Sequence, residues 1–163
     1  MRPNRGNSNL HVNKILTSRI NMETQIYWSD LEEGQELPTL EKTPTTRQLV
    51  MYAGASGDYY EIHYDKDYAI NNNLPGPILH GALKNAFLGQ LITEWISPLG
   101  TLRKLSCQYR GMDVPGDTIK GKGVITKKYI SGESHLIDCD IWLENPNGEK
   151  TTPGTATFEL PIK

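Results

Sequence analysis

Cysteine, phenylalanine and long apolar runs are what this chain has least of. Its two cysteines, Cys107 and Cys139, among 163 residues cannot build a disulfide framework and lack the spacing of a zinc site, so a reducing, cytoplasmic setting is the expectation. No run approaches the roughly 18 apolar residues of a membrane-spanning helix, and no membrane partner is expected. Neither sign of charge dominates. With 17 basic against 19 acidic residues, a net charge of −2 and a pI near 6.1, a nucleic-acid partner is excluded, because a grip on phosphates needs a strongly basic domain. There is no Gly-rich phosphate loop ending in Lys-Ser/Thr and no Gly-x-Ser-x-Gly elbow. Gly121-Lys122-Gly123 lacks the third glycine and the following helix of a dinucleotide fingerprint. No cofactor is called for.

What is present is enough for one core: 37 % hydrophobic residues, with eight Tyr and three Trp. The first 21 residues stand apart, carrying Arg2, Arg5, Lys14 and Arg19, five Asn and no acid. Without them the chain holds 13 basic against 19 acidic residues. They are too rich in Asn and too weakly amphipathic for a transit peptide, and a disordered extension over residues 1–21 is expected ahead of a single domain over residues 22–163.

From Trp28 onward the pattern is regular. Leu31–Pro38 reads as a turn into a strand over Leu37–Thr43. Pro44 suits a helix's first turn, Thr45 with Gln48 fits a capping box, and the helix runs Thr46–Ala55 with Leu49, Val50, Tyr52 and Ala53 inward. Gly54 and Gly57 are placed to end it. Asp65 reads as the cap of a short helix over Lys66–Asn71. After the rigid Leu74–Ile78 turn, a helix from His80 to Ile96 is apolar around most of its circumference, so it should be wrapped by other structure. Thr101–Arg110, Thr118–Lys128, His135–Glu144 and Lys150–Leu160 read as strands. In the third, His135, Ile137, Cys139, Ile141 and Leu143 alternate against Leu136, Asp138, Asp140, Trp142 and Glu144. Short turns between strands require antiparallel pairing. The sum is α+β, a meander of long strands curled around one central helix.

Few side chains are candidates for chemistry: Asp58, His63, Asp65 and His80. Asp58 and His63 lie five positions apart in a loop held by helices at both ends. With ordinary pKa values of about 3.9 and 6.5, one stays anionic while the other exchanges protons near neutrality. That suits addition of water across a polarised double bond. Asp58, His63 and His80 also make two imidazoles and a carboxylate, but without metal-ligand spacing no metal is assigned. Arg103, Lys104, Arg110 and Lys84 could meet ligand phosphates or simply face solvent. Cys107 and Cys139 fit strand packing better than nucleophilic roles.

Ser56-Gly57-Asp58-Tyr59-Tyr60-Glu61-Ile62-His63-Tyr64-Asp65 resembles the hydratase motif of the MaoC-like dehydratases, the (R)-specific enoyl-CoA hydratases. Gly76-Pro77-Ile78-Leu79-His80-Gly81 is similar to the segment that opens that family's central helix. The resemblance extends from about Leu31 to the C-terminus. It implies a single hot-dog domain pairing edge to edge into a homodimer or a larger homo-oligomer. It also implies reversible hydration of a trans-2-enoyl thioester of CoA or an acyl carrier protein. The catalytic pair falls on Asp58 and His63, the oxyanion-binding amide on Gly81, and substrate contacts on Tyr60 and His80. The family's Asn-Pro is Tyr60-Glu61 here; Tyr60 either replaces an orienting hydrogen bond or reshapes the acyl pocket, and Glu61 faces solvent or pairs with a cation. Two rival readings share the fold: an acyl-CoA thioesterase, and a non-catalytic acyl-binding subunit.

Overall fold

The structure, a computed structural model, describes residues 25–96 and 98–163; the extension expected over residues 1–21 lies outside the described residues. Five strands form one sheet: β1 Leu40–Lys42, β2 Thr101–Cys107, β3 Ile119–Ser131, β4 Ser134–Glu144 and β5 Lys150–Glu159. The helices are α1 Thr46–Ser56, α2 Lys66–Asn71 and α3 Gly81–Ile96, with 3-10 turns at Trp28–Asp30 and Glu61–His63.

The strand order is β1-β3-β4-β5-β2, and every pairing is antiparallel. β3, β4 and β5 are the expected meander. Gly132 supplies the positive φ (61°) that the tight connection between Ser131 and Ser134 needs. β2 corrects the expectation, because it pairs with β5 rather than with its sequence neighbour β3. The chain from Gln108 to Thr118 is therefore a crossover and not a hairpin turn. Its first residues still follow β5, with Gln108 N bonded to Pro153 O and the amides of Arg110 and Gly111 both bonded to Thr151 O. A register shift between Leu102 and Lys104 leaves Arg103 as a bulge.

β4 shows why the sheet takes this face. Ile137, Cys139, Ile141 and Leu143 are buried while the intervening side chains are half-buried or exposed, so one residue of slip would put four apolar groups into water. They pack with Leu88, Ile92 and Phe158 in a single core beneath α3. Burial pushes the Cys139 thiol up to about 12, which fits the packing role read for it. α3 is wrapped on one broad side only. Leu83, Phe87, Leu91 and Ile96 are buried, whereas Ala82, Ala86, Thr93 and Glu94 face outward.

α1 starts at Thr46 as expected, with Thr45 as the N-cap, its hydroxyl taking Gln48 N; Pro44 precedes the cap instead of lying in the first turn. Leu49 and Ala53 are buried as expected, but Val50 is exposed because it sits on the opposite flank. Gly54 stays inside the helix, and Gly57 alone ends it in the left-handed conformation, φ 76°.

Candidate active site

The loop after α1 is built by its own short polar residues. Ser56 Oγ donates to Tyr52 O at 2.7 Å and accepts from Asp58 N at 3.3 Å. Asp58 Oδ1 accepts from Tyr60 N at 3.4 Å, and Oδ2 is turned toward His63. The 3-10 turn then brings His63 back beneath Asp58, and Asp65 caps α2 through Tyr68 N at 2.9 Å. Two hydrogen bonds fasten this loop to the turn before α3: Ile78 N to Ile62 O at 3.0 Å, and His63 Nδ1 to Ile78 O at 2.8 Å.

That second bond fixes the imidazole's chemistry. A carbonyl only accepts, so Nδ1 carries the hydrogen, and in the neutral ring the lone pair lies on Nε2. Nε2 is 3.8 Å from Asp58 Oδ2. The gap is too wide for a direct hydrogen bond, yet one atom can sit within reach of both. His63 is 8 % exposed at its side chain and Asp58 47 %, so the pair meets at the edge of water and protein. The Tyr60 ring stands edge-on to His63 at 6.3 Å and to Tyr68 at 6.1 Å. The Tyr60 phenol beside it, with some desolvation, holds the Tyr68 hydroxyl above its usual pKa. Among the described residues the Tyr60 hydroxyl donates to neither Asp58 nor His63; only its backbone N reaches Asp58. Glu61 is exposed and forms no ion pair among the described residues.

His80 does not find the backbone partner common for a histidine at a helix start. It is fully buried, both ring nitrogens lack a hydrogen-bond partner among the described residues, and its ring stacks on His63 at 3.8 Å and 22°. Tyr52 lies against it at 5.0 Å. Donor atoms of Asp58, His63 and His80 fall within 4.8 Å of one another. Stacked rings send their lone pairs along nearly parallel planes, however, whereas histidines sharing an ion converge on one centre. Burial, then the neighbouring His63, holds the His80 pKa below the usual 6.5, against a smaller pull from Asp58. The folded protein therefore binds this proton less well than the unfolded chain, and stability drops as pH falls below about 6.5. His80→Phe, which keeps a stacked ring without the titration, should flatten the decline in melting temperature between pH 7 and 5. Parallel profiles for the two proteins would contradict this.

Gly81 opens α3, so its amide has no intrahelical acceptor. A cavity of about 350 Å³ lies before it, with His63, Ile78 and Gly81 on one side and Tyr109, Arg110 and Met112 on the other. Tyr109 covers Gly81 so closely that a Cβ there would stand 2.9 Å from Tyr109 Cε2. The four basic candidates separate. Arg103 pairs with Glu159 and Lys104 is exposed. Arg110 lies beyond β2, at the cavity, where it donates to Gln108. Lys84 is neither solvated nor free for a phosphate: it is buried against Asp113 at 2.6 Å. Tyr109 and Asp113 carried no sequence signal as site residues, since a turn-like Gly-Met-Asp-Val-Pro gives no hint that a crossover folds it over α3.

Comparison with known proteins bears on this arrangement directly, for residues 30–138 match the family model described as the MaoC like domain. The chain belongs to that family. It is 27 % identical over 143 residues to the (R)-specific enoyl-CoA hydratase of Rhodospirillum rubrum, covering 84 % of this chain and 93 % of that protein. It is also 36 % identical over 80 residues to the fatty acid synthase subunit beta of Saccharomyces cerevisiae, of whose length the match spans only 4 %. Among solved structures, the unliganded R-hydratase PhaJ1 from Pseudomonas aeruginosa superposes with a TM-score of 0.77 at 23 % identity, over 85 % of this chain and 88 % of that one. The (R)-hydratase from A. caviae gives 0.72 at 20 % identity, over 80 % and 98 %. The curled sheet around α3 is thus the hot-dog fold, and this MaoC-like chain has hydratases among its relatives.

Proposed function

We propose that the protein adds water reversibly across the C2–C3 double bond of a 2-enoyl thioester. The observation that carries this reading is His63 Nε2 facing Asp58 Oδ2 at 3.8 Å while Nδ1 is tied to Ile78 O. A water held between them gives a proton to Nε2 as its oxygen bonds to C3. The π electrons shift to the thioester oxygen, which the amide of Gly81 and the N-terminal dipole of α3 stabilise as an enolate. Collapse of the enolate takes the proton from His63 onto C2, so the elements of one water are added and both side chains return to their starting state. Asp58, unable to donate while ionised, orients the water and offsets the transient imidazolium charge.

The relative acting on enoyl-CoA supports CoA as the thiol carrier, and the fatty acid synthase match supports an acyl carrier protein. Arg110 at the cavity is the side chain placed to meet a phosphate of either arm. The unpaired outer edge of β2 and the outward Ala82 and Ala86 of α3 suit a second copy of the chain, giving a homodimer. The cysteine-poor composition and the hydratase relative are consistent with a cytoplasmic setting; no helix among the described residues is long and apolar enough to cross a membrane.

One observation favours a second reading, an acyl-binding subunit without turnover: the Tyr109 ring crowds Gly81, 2.9 Å from where a Cβ would stand, at the residue whose amide the thioester oxygen would use. Following the absorbance of crotonyl-CoA and longer 2-enoyl-CoAs separates the possibilities. Loss of the conjugated chromophore without free thiol is the expected result. Thiol release would mean a thioesterase, and no change at any chain length would favour the binding subunit.

A further inference from the structure

Lys84 lies in the first turn of α3, a place where a lysine ordinarily reaches water. Here it is 2 % exposed. Its Nζ lies 2.6 Å from Asp113 Oδ2 and donates to Gly111 O at 2.8 Å. Asp113 Oδ2 also accepts from the Thr151 hydroxyl at 2.8 Å, and Asp113 O accepts from Leu79 N at 2.9 Å. One stretch of the crossover, residues 111–113, is thereby tied to the entrance of α3 and to β5 together. Stability does not account for this choice of residues. Buried ion pairs are costly to desolvate, and well-packed apolar side chains often hold a fold equally well. Asp113 Oδ1 moreover has no hydrogen-bond partner among the described residues, and a partly satisfied buried network is worse for stability than an apolar core.

What the pair does supply is direction. The crossover it holds carries Tyr109, Arg110 and Met112, the outer wall of the cavity in front of His63 and Gly81. We propose that Lys84 and Asp113 are positioning residues: their buried ion pair sets Tyr109 against Gly81 and so determines which acyl thioesters reach the Asp58–His63 pair productively. This rests on the hydration reading above. Lys84 borders the same cavity, but its Nζ is taken up by Asp113 and by Gly111 O; the pair acts through the crossover wall, where a displacement near 1 Å is enough to cost about 10²-fold in rate.

The double variant K84M/D113L tests it, because it removes both charges and keeps the volume. The single variant K84M strands a buried carboxylate and should melt well below the parent; the double should recover most of that loss. Despite the recovered stability, the double should lose about 10- to 100-fold in kcat/KM toward 2-enoyl-CoAs. Its preference among chain lengths should flatten, and amide hydrogen exchange should quicken in residues 109–113 but not in β3–β5. If K84M/D113L fails to fold, T151V removes one bond to Asp113 without stranding a charge and should move selectivity and exchange in the same direction by less. A folded variant with the parent's chain-length profile and the parent's exchange overturns the proposal. Should the parent itself hydrate no enoyl thioester, the exchange measurement still decides: quickening confined to residues 109–113 keeps the clamp and discards the reaction, and none discards both.

Discussion

Asp58→Asn and His63→Asn should each slow hydration by about 10²- to 10⁴-fold, the range expected when a positioned acid–base group is lost, while both proteins melt close to the parent. The geometry allows that separation. Asp58 is half-exposed, and the one hydrogen bond its carboxylate makes among the described residues is the 3.4 Å acceptance from Tyr60 N. An Asn oxygen can accept the same bond, so the loop keeps its shape and loses only its charge. At His63 the bond to keep is Nδ1–H to Ile78 O at 2.8 Å. The amide nitrogen of Asn lies at nearly the same distance from the backbone as Nδ1 and can donate there, whereas nothing in Asn replaces Nε2. Each variant thus deletes one participant and leaves the joint between the loop and α3 intact. Because the two groups act on one water, the double variant should be little slower than the slower single. Measuring kcat for the four proteins with one 2-enoyl-CoA checks this, and near-parental rates in both single variants would remove the pair from the mechanism.

Local chemistry made much of this architecture legible before any coordinates. The Thr45 cap, the Asp65 cap, the terminating Gly57 and the alternation in β4 each depend on residues within a few positions of one another, and such signals survive folding unchanged. The same holds for the loop that brings Asp58 to His63, which is closed by Ser56, Tyr60 and Ile62. What the sequence withheld is non-local. That β2 lies beside β5 follows from burying Leu102, Leu105 and Cys107 against a core assembled from distant segments, and no turn residue announces it. Nor does any local signal pair Lys84 with Asp113, 29 positions further along the sequence, although the two form the most buried ion pair of the described residues. The partner of Arg103 is hidden for a related reason: it lies at a bulge, which periodicity does not announce, and pairs with Glu159 on β5. His80 illustrates a third limit. Its position at a helix start suggests a backbone bond, and only the packed site shows it stacked on His63 with both nitrogens unpartnered.

Gly81→Pro should turn over about 10²- to 10³-fold more slowly than Gly81→Ala, the loss typical of removing one oxyanion donor. The comparison works because of where Gly81 sits. It is the first residue of α3, the helical position at which proline is best tolerated, since its missing N–H would have no intrahelical acceptor and its fixed φ already suits the helix. Proline there removes the amide hydrogen and costs the helix little. Both substitutions introduce a Cβ, 2.9 Å from Tyr109 Cε2, so both must displace that ring; Tyr109 is 55 % exposed and has room to swing. The steric effect is therefore shared, and the ratio of the two rates isolates the hydrogen bond. Gly81→Ala alone reports on Tyr109. If the ring obstructs the thioester, displacing it should raise kcat/KM for the bulkier acyl chains even as the added methyl slows the shortest. Equal rates for the alanine and proline variants would take the developing oxyanion off the Gly81 amide and leave the dipole of α3 as its stabiliser, a weaker device that acts without contact and is worth about 1 kcal/mol rather than several.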